Sequence, residues 1–361
     1  MRAEPGLKIG AGGRGLPVRV VAPQGAAWAE LARTSPGATI YHQPEWASVI
    51  EHTYGLRPHY FLLEATPGPA SGLPCFQAGR LLRRRLVSLP FSDVAGPLVG
   101  RPQDDRALMG AVLEAARALR IGQVEVRGGD GPGLHSLFEP QERHFCTFVV
   151  DLAPEPKALR ARLQKSSTLR SLKVAEGGAL SVREGRSEDD MAAFHHLNLL
   201  TRRRHGVPPQ PYRLFRNIWE VMAPAGQMTL LLAELSGRPV AGMVLFHFGE
   251  VAYYKYGASD PEHLRLRPNH LLMWRAIRWA RERGCKRLDL GRTYLGNEGL
   301  MRYKRSWGAS QVPLAYWSHP RATGPGALAE GSPGYQLVTR SWRRLPLWAT
   351  RLGSLLYKHF A

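Results

Sequence analysis

The stretch RPNHLLMWRAIRWARERGCKRLDLGRTYLGNEGLMRYKRSWG, Arg267 to Gly308, reads as helix, strand, loop and short helix in immediate succession. Pro268 and Asn269 open the helix, proline being tolerated where the first turn needs no N–H. Met273, Ala276, Ile277 and Ala280 recur at helical spacing and make one apolar stripe, and Gly284 ends it. The spacing predicts a helix over His270 to Arg283, a strand over Arg287 to Leu290 and a short helix over Leu300 to Ser306. Working upstream, Ser236-Gly237-Arg238-Pro239 and Gly249-Glu250 are turn signals separating three β-rich runs, Met228 to Glu234, Val240 to Phe248 and Val251 to Tyr256. An antiparallel meander, a crossover helix and a returning strand follow. Val312 to Trp317 supplies a last strand.

The first half runs through the same order. Strand Val18 to Val21, helices near Trp28 to Arg33 and Pro44 to Tyr54, and strands His59 to Glu64, Cys75 to Gly79 and Leu86 to Leu89 precede a helix over Asp104 to Leu119 and strands Gln123 to Arg127 and Phe145 to Asp151. The second half begins with strand Leu180 to Arg183 and helices Asp189 to Arg203 and Tyr212 to Met222. The expected organisation is a flexible N-terminus over 1–17, a first domain over 18–152, a basic helical connector over 153–178, a second domain over 179–319, and a linker with a basic amphipathic tail over 320–361. The fold class is α/β (α+β), with mixed, mainly antiparallel sheets flanked by helices. The connector carries Lys157, Arg160, Arg162, Lys165, Arg170 and Lys173; it is read either as a phosphate-binding surface or as a solvated link.

At 361 residues the chain can bury two ordinary cores. Lys and Arg number 49 against 29 Asp and Glu, a formal charge of +20, which points to anionic partners: a tRNA acceptor arm, a nucleotide-linked precursor, a coenzyme pyrophosphate or an acidic membrane face. Cys75, Cys146 and Cys285 are far apart and odd in number, a pattern that fits a reducing compartment and no thiolate metal site. No signal-like segment opens the chain and no apolar run approaches a membrane span, so a cytoplasmic location is expected. Gly10, Gly12 and Gly15 satisfy a dinucleotide-loop spacing but precede the first strand, where no helix N-terminus follows to hold a pyrophosphate. His144, His195, His196 and His247 have no partner at ligand spacing, and no nucleophile elbow or paired metal ligands appear.

The Arg267 to Gly308 stretch resembles the signature region of the FemAB-like proteins of the GNAT superfamily. Leu89-Pro90-Phe91-Ser92-Asp93 with Gly96-Pro97, the basic run Lys165 to Glu176, and Val240-Ala241-Gly242 leading to Tyr256-Gly257-Ala258-Ser259 resemble the same family. The resemblance spans about residues 40 to 318 and implies tandem GNAT domains. It also implies direct transfer of an aminoacyl or acyl group to an amine, with no covalent enzyme intermediate and with aminoacyl-tRNA or acyl-CoA as donor substrate; it makes no cofactor certain. By the same resemblance Tyr303-Lys304 takes the place of the family's aromatic–lysine pair, with Lys304 stabilising the tetrahedral oxyanion; a lysine on the surface of a short basic helix is the alternative.

Asp289-Leu290-Gly291-Arg292-Thr293 falls at a strand end, the usual ligand position in α/β folds. Asp289 is read as a proton acceptor or an orienter of Arg292, and Arg292 as a clamp for phosphate or carboxylate; a structural ion pair between them is the alternative. Tyr254 and Tyr256 flank Lys255, so regular alternation puts both hydroxyls on one face as acceptor contacts or core packing. Arg204 is a further candidate for the acceptor site.

The donor stays open between aminoacyl-tRNA and acyl-CoA. The segment His263 to Asn269 holds no glycine where CoA enzymes bind pyrophosphate, although Arg265 and Arg267 stand there to hold an anion. The acceptor expected from the family is an amine of a cell-envelope, peptidoglycan or exopolysaccharide precursor, with a sugar or metabolite amine as the acyl-CoA alternative. A basic RNA-binding or membrane adaptor on the same scaffold is the non-enzymatic one. Leu345, Trp348, Leu352 and Leu355 share a face of the tail, flanked by Arg344, Arg351 and Lys358; residues 336–361 are read as a peripheral contact with the anionic inner membrane face or as a helix docked on the protein itself.

Overall fold

The computed structural model describes residues 18–64, 68–79, 84–141, 144–321 and 339–347, with positions 8–9, 350 and 353. The glycines at 10, 12 and 15 and most of the 320–361 tail lie outside the described residues. The chain divides into two compact units, residues 1–143 with 314–324 and residues 144–313 with 325–358, apart from the last three positions, which cluster with the first.

The first unit contains β1 (Lys8–Ile9), β2 (Val18–Val21), α1 (Ala26–Thr34), α2 (Pro44–Tyr54), β3 (Arg57–Leu63), β4 (Ser71–Ala78), β5 (Arg85–Val87), α3 (Asp104–Ala118), β6 (Gln123–Arg127), α4 (Pro132–Leu137) and β7 (Glu139–Pro140). The second contains β8 (Phe145–Asp151), α5 (Pro156–Arg162), a π-helical turn Lys165–Leu169, α6 (Arg170–Glu176), β9 (Leu180–Glu184), α7 (Glu188–His205), α8 (Tyr212–Met222), β10 (Met228–Leu235), β11 (Arg238–Phe248), β12 (Val251–Ser259), a 3₁₀ turn Pro261–Leu266, α9 (Pro268–Glu282), β13 (Arg287–Asp289), β14 (Thr293–Tyr294), α10 (Glu298–Arg305) and β15 (Ser310–Pro313). The final strand, β16 (Tyr316–His319), belongs to the first unit.

The repeat seen in element order is a repeat of topology. In the first sheet β2, β3, β4 and β5 form an antiparallel meander, α3 crosses over, and β6 returns parallel to β5. In the second, β9 to β12 form the meander, α9 crosses over and β13 returns parallel to β12. Each is a mixed, mainly antiparallel sheet flanked by helices, as the sequence predicts.

Three expectations change. Phe145–Asp151, assigned from sequence to the first domain, pairs with β13, β14 and β15 in the second sheet. The run Val312 to Trp317 is two strands in different sheets: Ser310–Pro313 pairs β8, while Tyr316–His319 pairs β6 and β7. Residues 153–178 are not a separate connector, because Leu159, Leu163 and Leu172 are buried in the second core. Arg160 grips Glu176 through bonds of 2.7 and 2.5 Å and lies over Trp274, leaving Lys165, Arg170 and Lys173 exposed.

In the second unit α9 buries Leu272, Met273, Ala276, Ile277 and Ala280 against the face of the sheet that carries Met243 and Leu245. A Cβ on Gly242, one residue along β11, would meet Phe194 at 2.7 Å, so α7 covers the opposite face.

Candidate active site

The described pairing of β12 with β13 ends at Tyr253↔Asp289, and the chain beyond Asp289 turns toward α10. Asp289 closes that turn by accepting the Gly291 N–H on Oδ1 at 2.7 Å, and the same oxygen accepts the hydroxyl of Thr147 from β8. Gly291 has φ 77°, a left-handed conformation in which a side chain is disfavoured. Its carbonyl points at α10 and accepts the Lys304 ammonium at 2.6 Å, with Thr147 Oγ1 3.1 Å away.

α10 is started by Asn297, whose side chain accepts the Leu300 N–H at 3.1 Å, and its buried face is Met301 and Lys304, three residues apart. Lys304 is therefore only 4 % exposed. An ammonium at that depth needs a polar partner, and the Gly291 carbonyl is one. The surface-lysine alternative is excluded by this burial.

The aromatic surroundings come from an irregularity in β12. Val244 faces Tyr256 while Leu245 faces Tyr254, so Lys255 is an extra residue, a β-bulge. Tyr254 consequently lies on the α9 face with Leu245, and Tyr256 on the α7 face with Val244. Tyr256 packs edge-on to Phe215 at 5.3 Å, with Lys255 Nζ 5.8 Å from its ring. The expectation that both hydroxyls share a face fails, because the bulge reverses the alternation.

On the α9 face, Tyr303 lies 5.7 Å from His270 and 6.2 Å from Trp307, and His270 lies 5.8 Å from Trp307. Burial pushes the Tyr254 phenol up to about 12 and the Tyr303 phenol higher still, the neighbouring Tyr254 adding to the second shift. Burial, helped by the positive charge of Arg267, takes the His270 imidazole down to about 4. At neutral pH all three are uncharged.

The remaining predicted residues stand apart from this group. Arg292 is exposed, with its guanidinium 4.4 Å from the Phe145 ring. Arg204, in the last turn of α7, has Nη2 3.4 Å from His205 Nε2. Arg265 is exposed in the 3₁₀ turn, and Arg267, exposed with φ 58°, stands immediately before Pro268 at the start of α9. Thus Asp289 and Lys304 converge on Gly291, Tyr303 belongs to an aromatic group with His270 and Trp307 on which Arg267 acts by its charge, and Tyr256 is on the other side of the sheet. Sequence reasoning missed Thr147, His270 and Trp307. His270 and Trp307 were inside the deciding stretch, and their spacing from Arg267 and Tyr303 was a usable signal. Thr147 carried none, being in a strand assigned to the other half.

Residues 160–305 match the family profile described as an acetyltransferase (GNAT) domain. The chain is 36 % identical over 88 residues to a lipid II:glycine glycyltransferase of Staphylococcus haemolyticus, covering 22 % of this chain and 21 % of that protein. The corresponding protein of Staphylococcus saprophyticus is 32 % identical over 87 residues, again 22 % and 21 %. The chain thus matches these curated relatives over about a fifth of their length. Among solved structures, FemX superposes with a TM-score of 0.67 at 14 % identity, covering 89 % of this chain and 99 % of its own. A tandem GNAT protein from the clavulanic acid biosynthesis pathway superposes with 0.55 at 12 % identity, covering 83 % and 97 %. The duplicated meander–crossover topology, the GNAT profile over residues 160–305 and the segment shared with the glycyltransferases make this chain similar to the FemAB-like proteins of the GNAT superfamily.

Proposed function

We propose that the protein is an N-acyltransferase that moves an aminoacyl group from an aminoacyl-tRNA onto an amine of a lipid-linked peptidoglycan precursor. The observation that carries this reading is the buried Lys304 ammonium, held against the Gly291 carbonyl beside Tyr303. Attack of an amine on an ester carbonyl puts negative charge on one oxygen, and a fixed cation in an apolar cleft stabilises that charge far better than one in water. The amine forms the new C–N bond, the tRNA ribose oxygen leaves with the electron pair, and the amine proton passes to it directly or through substrate groups. Asp289 enters as the group that aims the Gly291 carbonyl, since its Oδ1 is engaged by two donors. The names of the glycyltransferases sharing the segment support the acceptor class.

Arg265 and Arg267 favour a second donor. Two exposed cations ahead of α9 suit the pyrophosphate of an acyl-CoA, although Pro268 removes one N–H from that end of the helix. The test is incubation with charged tRNA and lipid II, beside acetyl-CoA with the same acceptor, reading products by mass spectrometry. Aminoacylated lipid II supports the proposal; acetylated product alone moves the donor to CoA, and absence of product with any aminoacyl donor defeats it. Among the described residues no helix is long and apolar enough to cross a membrane. The same reading puts the protein in the cytoplasm, meeting the lipid-linked acceptor through residues 336–361, which liposome flotation of a chain truncated at 335 would check.

A further inference from the structure

We propose that Thr147 is a positioning residue for the Lys304 ammonium, acting through Asp289 and the Gly291 peptide; this rests on the role given to Lys304 above. Thr147 is 5 % exposed, and its hydroxyl sits where the Asp289 carboxylate and the Gly291 carbonyl meet. A hydroxyl has one proton to donate, and a carboxylate competes for it better than a peptide carbonyl. The proton therefore goes to Asp289, leaving the Gly291 oxygen to Lys304.

The consequence is a chain of constraints. Thr147 fixes the Asp289 carboxylate, Asp289 fixes the Gly291 N–H, and Gly291, held at φ 77°, joins that N–H to the carbonyl Lys304 holds. Threonine contributes rigidity beyond its hydrogen bond, because its branched Cβ restricts χ1. Its strand is itself well anchored: β8 pairs with β13, β14 and β15. Lys304 lies on the short helix between β14 and β15, so the network refers a long side chain to an interior strand. A charge placed this way keeps its geometry through the reaction, which is where such groups gain their effect.

The experiment compares Thr147→Val, Thr147→Ser, Lys304→Met and the Thr147→Val/Lys304→Met double variant. Steady-state kinetics with glycyl-tRNA and lipid II are combined with ¹⁵N NMR of the Lys304 ammonium, assigned by its loss in Lys304→Met. Thr147→Val is expected to lower kcat roughly tenfold or more with KM for lipid II within about a factor of two, and to speed exchange of the Lys304 ammonium protons. Thr147→Ser keeps the hydroxyl without the branched Cβ and recovers most of both, and Thr147→Val adds little once Lys304 is Met, because coupled residues are not additive. An unchanged Lys304 signal and kcat in Thr147→Val overturns the proposal, as does full additivity in the double variant. If instead Lys304→Met alone leaves kcat intact, the role of Lys304 falls, while the ammonium exchange still reports whether Thr147 holds it.

Discussion

The hydroxyl of Tyr254 occupies the space a side chain on Gly257 would need: an ideal Cβ there lies 1.8 Å from the phenol oxygen, 2.7 Å from Cζ and 3.0 Å from Cε2. The bulge at Lys255 brings the two residues onto one face, and the absence of a Cβ lets the ring lie flat beside the strand.

Gly257→Ala is therefore an overpacking change, and it is expected to cost about 2 kcal/mol in urea-unfolding free energy. Tyr254→Phe removes the closest atom and leaves contacts at 2.7 and 3.0 Å, so the double variant recovers part of the loss and not all of it. A Gly257→Ala protein as stable as its parent would show that Tyr254 does not fill this space.

Lys304→Met keeps the length and apolar stem of the side chain and removes only the charged head. Loss of one fixed donor to an oxyanion costs roughly 100- to 1000-fold in kcat. Lys304→Arg does not rescue, because a planar, larger guanidinium cannot place a point charge at the same atom of a side chain only 4 % exposed. Measured rates within a few-fold of the parent in Lys304→Met would remove Lys304 from the chemistry and leave it as a lock on the Gly291 turn.

Arg267 depresses the His270 imidazole by its charge, after the larger effect of burial. Arg267→Gln is expected to raise the His270 titration midpoint from about 4 toward, and well short of, 6.5, since burial remains. Imidazole chemical shifts followed against pH would record the move. A midpoint that stays in place would mean that solvent screens the exposed guanidinium fully.

Much of this architecture was legible because its signals are local. Pro268, the apolar stripe through Ala280 and Gly284 fix α9 within two residues of the expected ends, and the turns at Ser236-Gly237 and Gly249-Glu250 define the meander. What failed was non-local or irregular. A bulge adds one residue without changing composition, so Tyr254-Lys255-Tyr256 looks like plain alternation and the faces come out reversed. Strand partners are chosen by the sheet and not by the strand, so nothing within Phe145–Asp151 or Tyr316–His319 tells that each pairs in the sheet of the half to which its sequence position does not assign it. In the short helix Arg302 to Arg305, charge alone did not separate the buried Lys304 from its exposed neighbours. Only its three-residue spacing from Met301 does.

The first unit contains a pH-dependent term that can be isolated. His42 is 1 % exposed; its Nδ1 accepts the Thr39 N–H at 3.0 Å, which leaves Nε2–H to donate to the Gly96 carbonyl at 3.0 Å. Burial opposes charging the ring and outweighs the hydrogen bonds to Gly96 and Thr39, so the imidazole is held at about 4 against 6.5 when unfolded. Between those values the unfolded chain binds a proton that the folded one refuses. The stabilisation is complete above pH 6.5 and is lost as pH falls toward 4, by up to about 1.4 kcal/mol per pH unit for one such histidine. His270 adds in the same window, whereas Asp190, held down to about 2 by Arg183, contributes above 3.8 and loses its share only between 3.8 and 2. Chemical unfolding at intervals from pH 7 to 4 should give a falling stability with a shallower slope in His42→Asn, which keeps an acceptor near the Thr39 N–H without a titrating ring. Parallel slopes for the two proteins would show that His42 takes up its proton without leaving the fold.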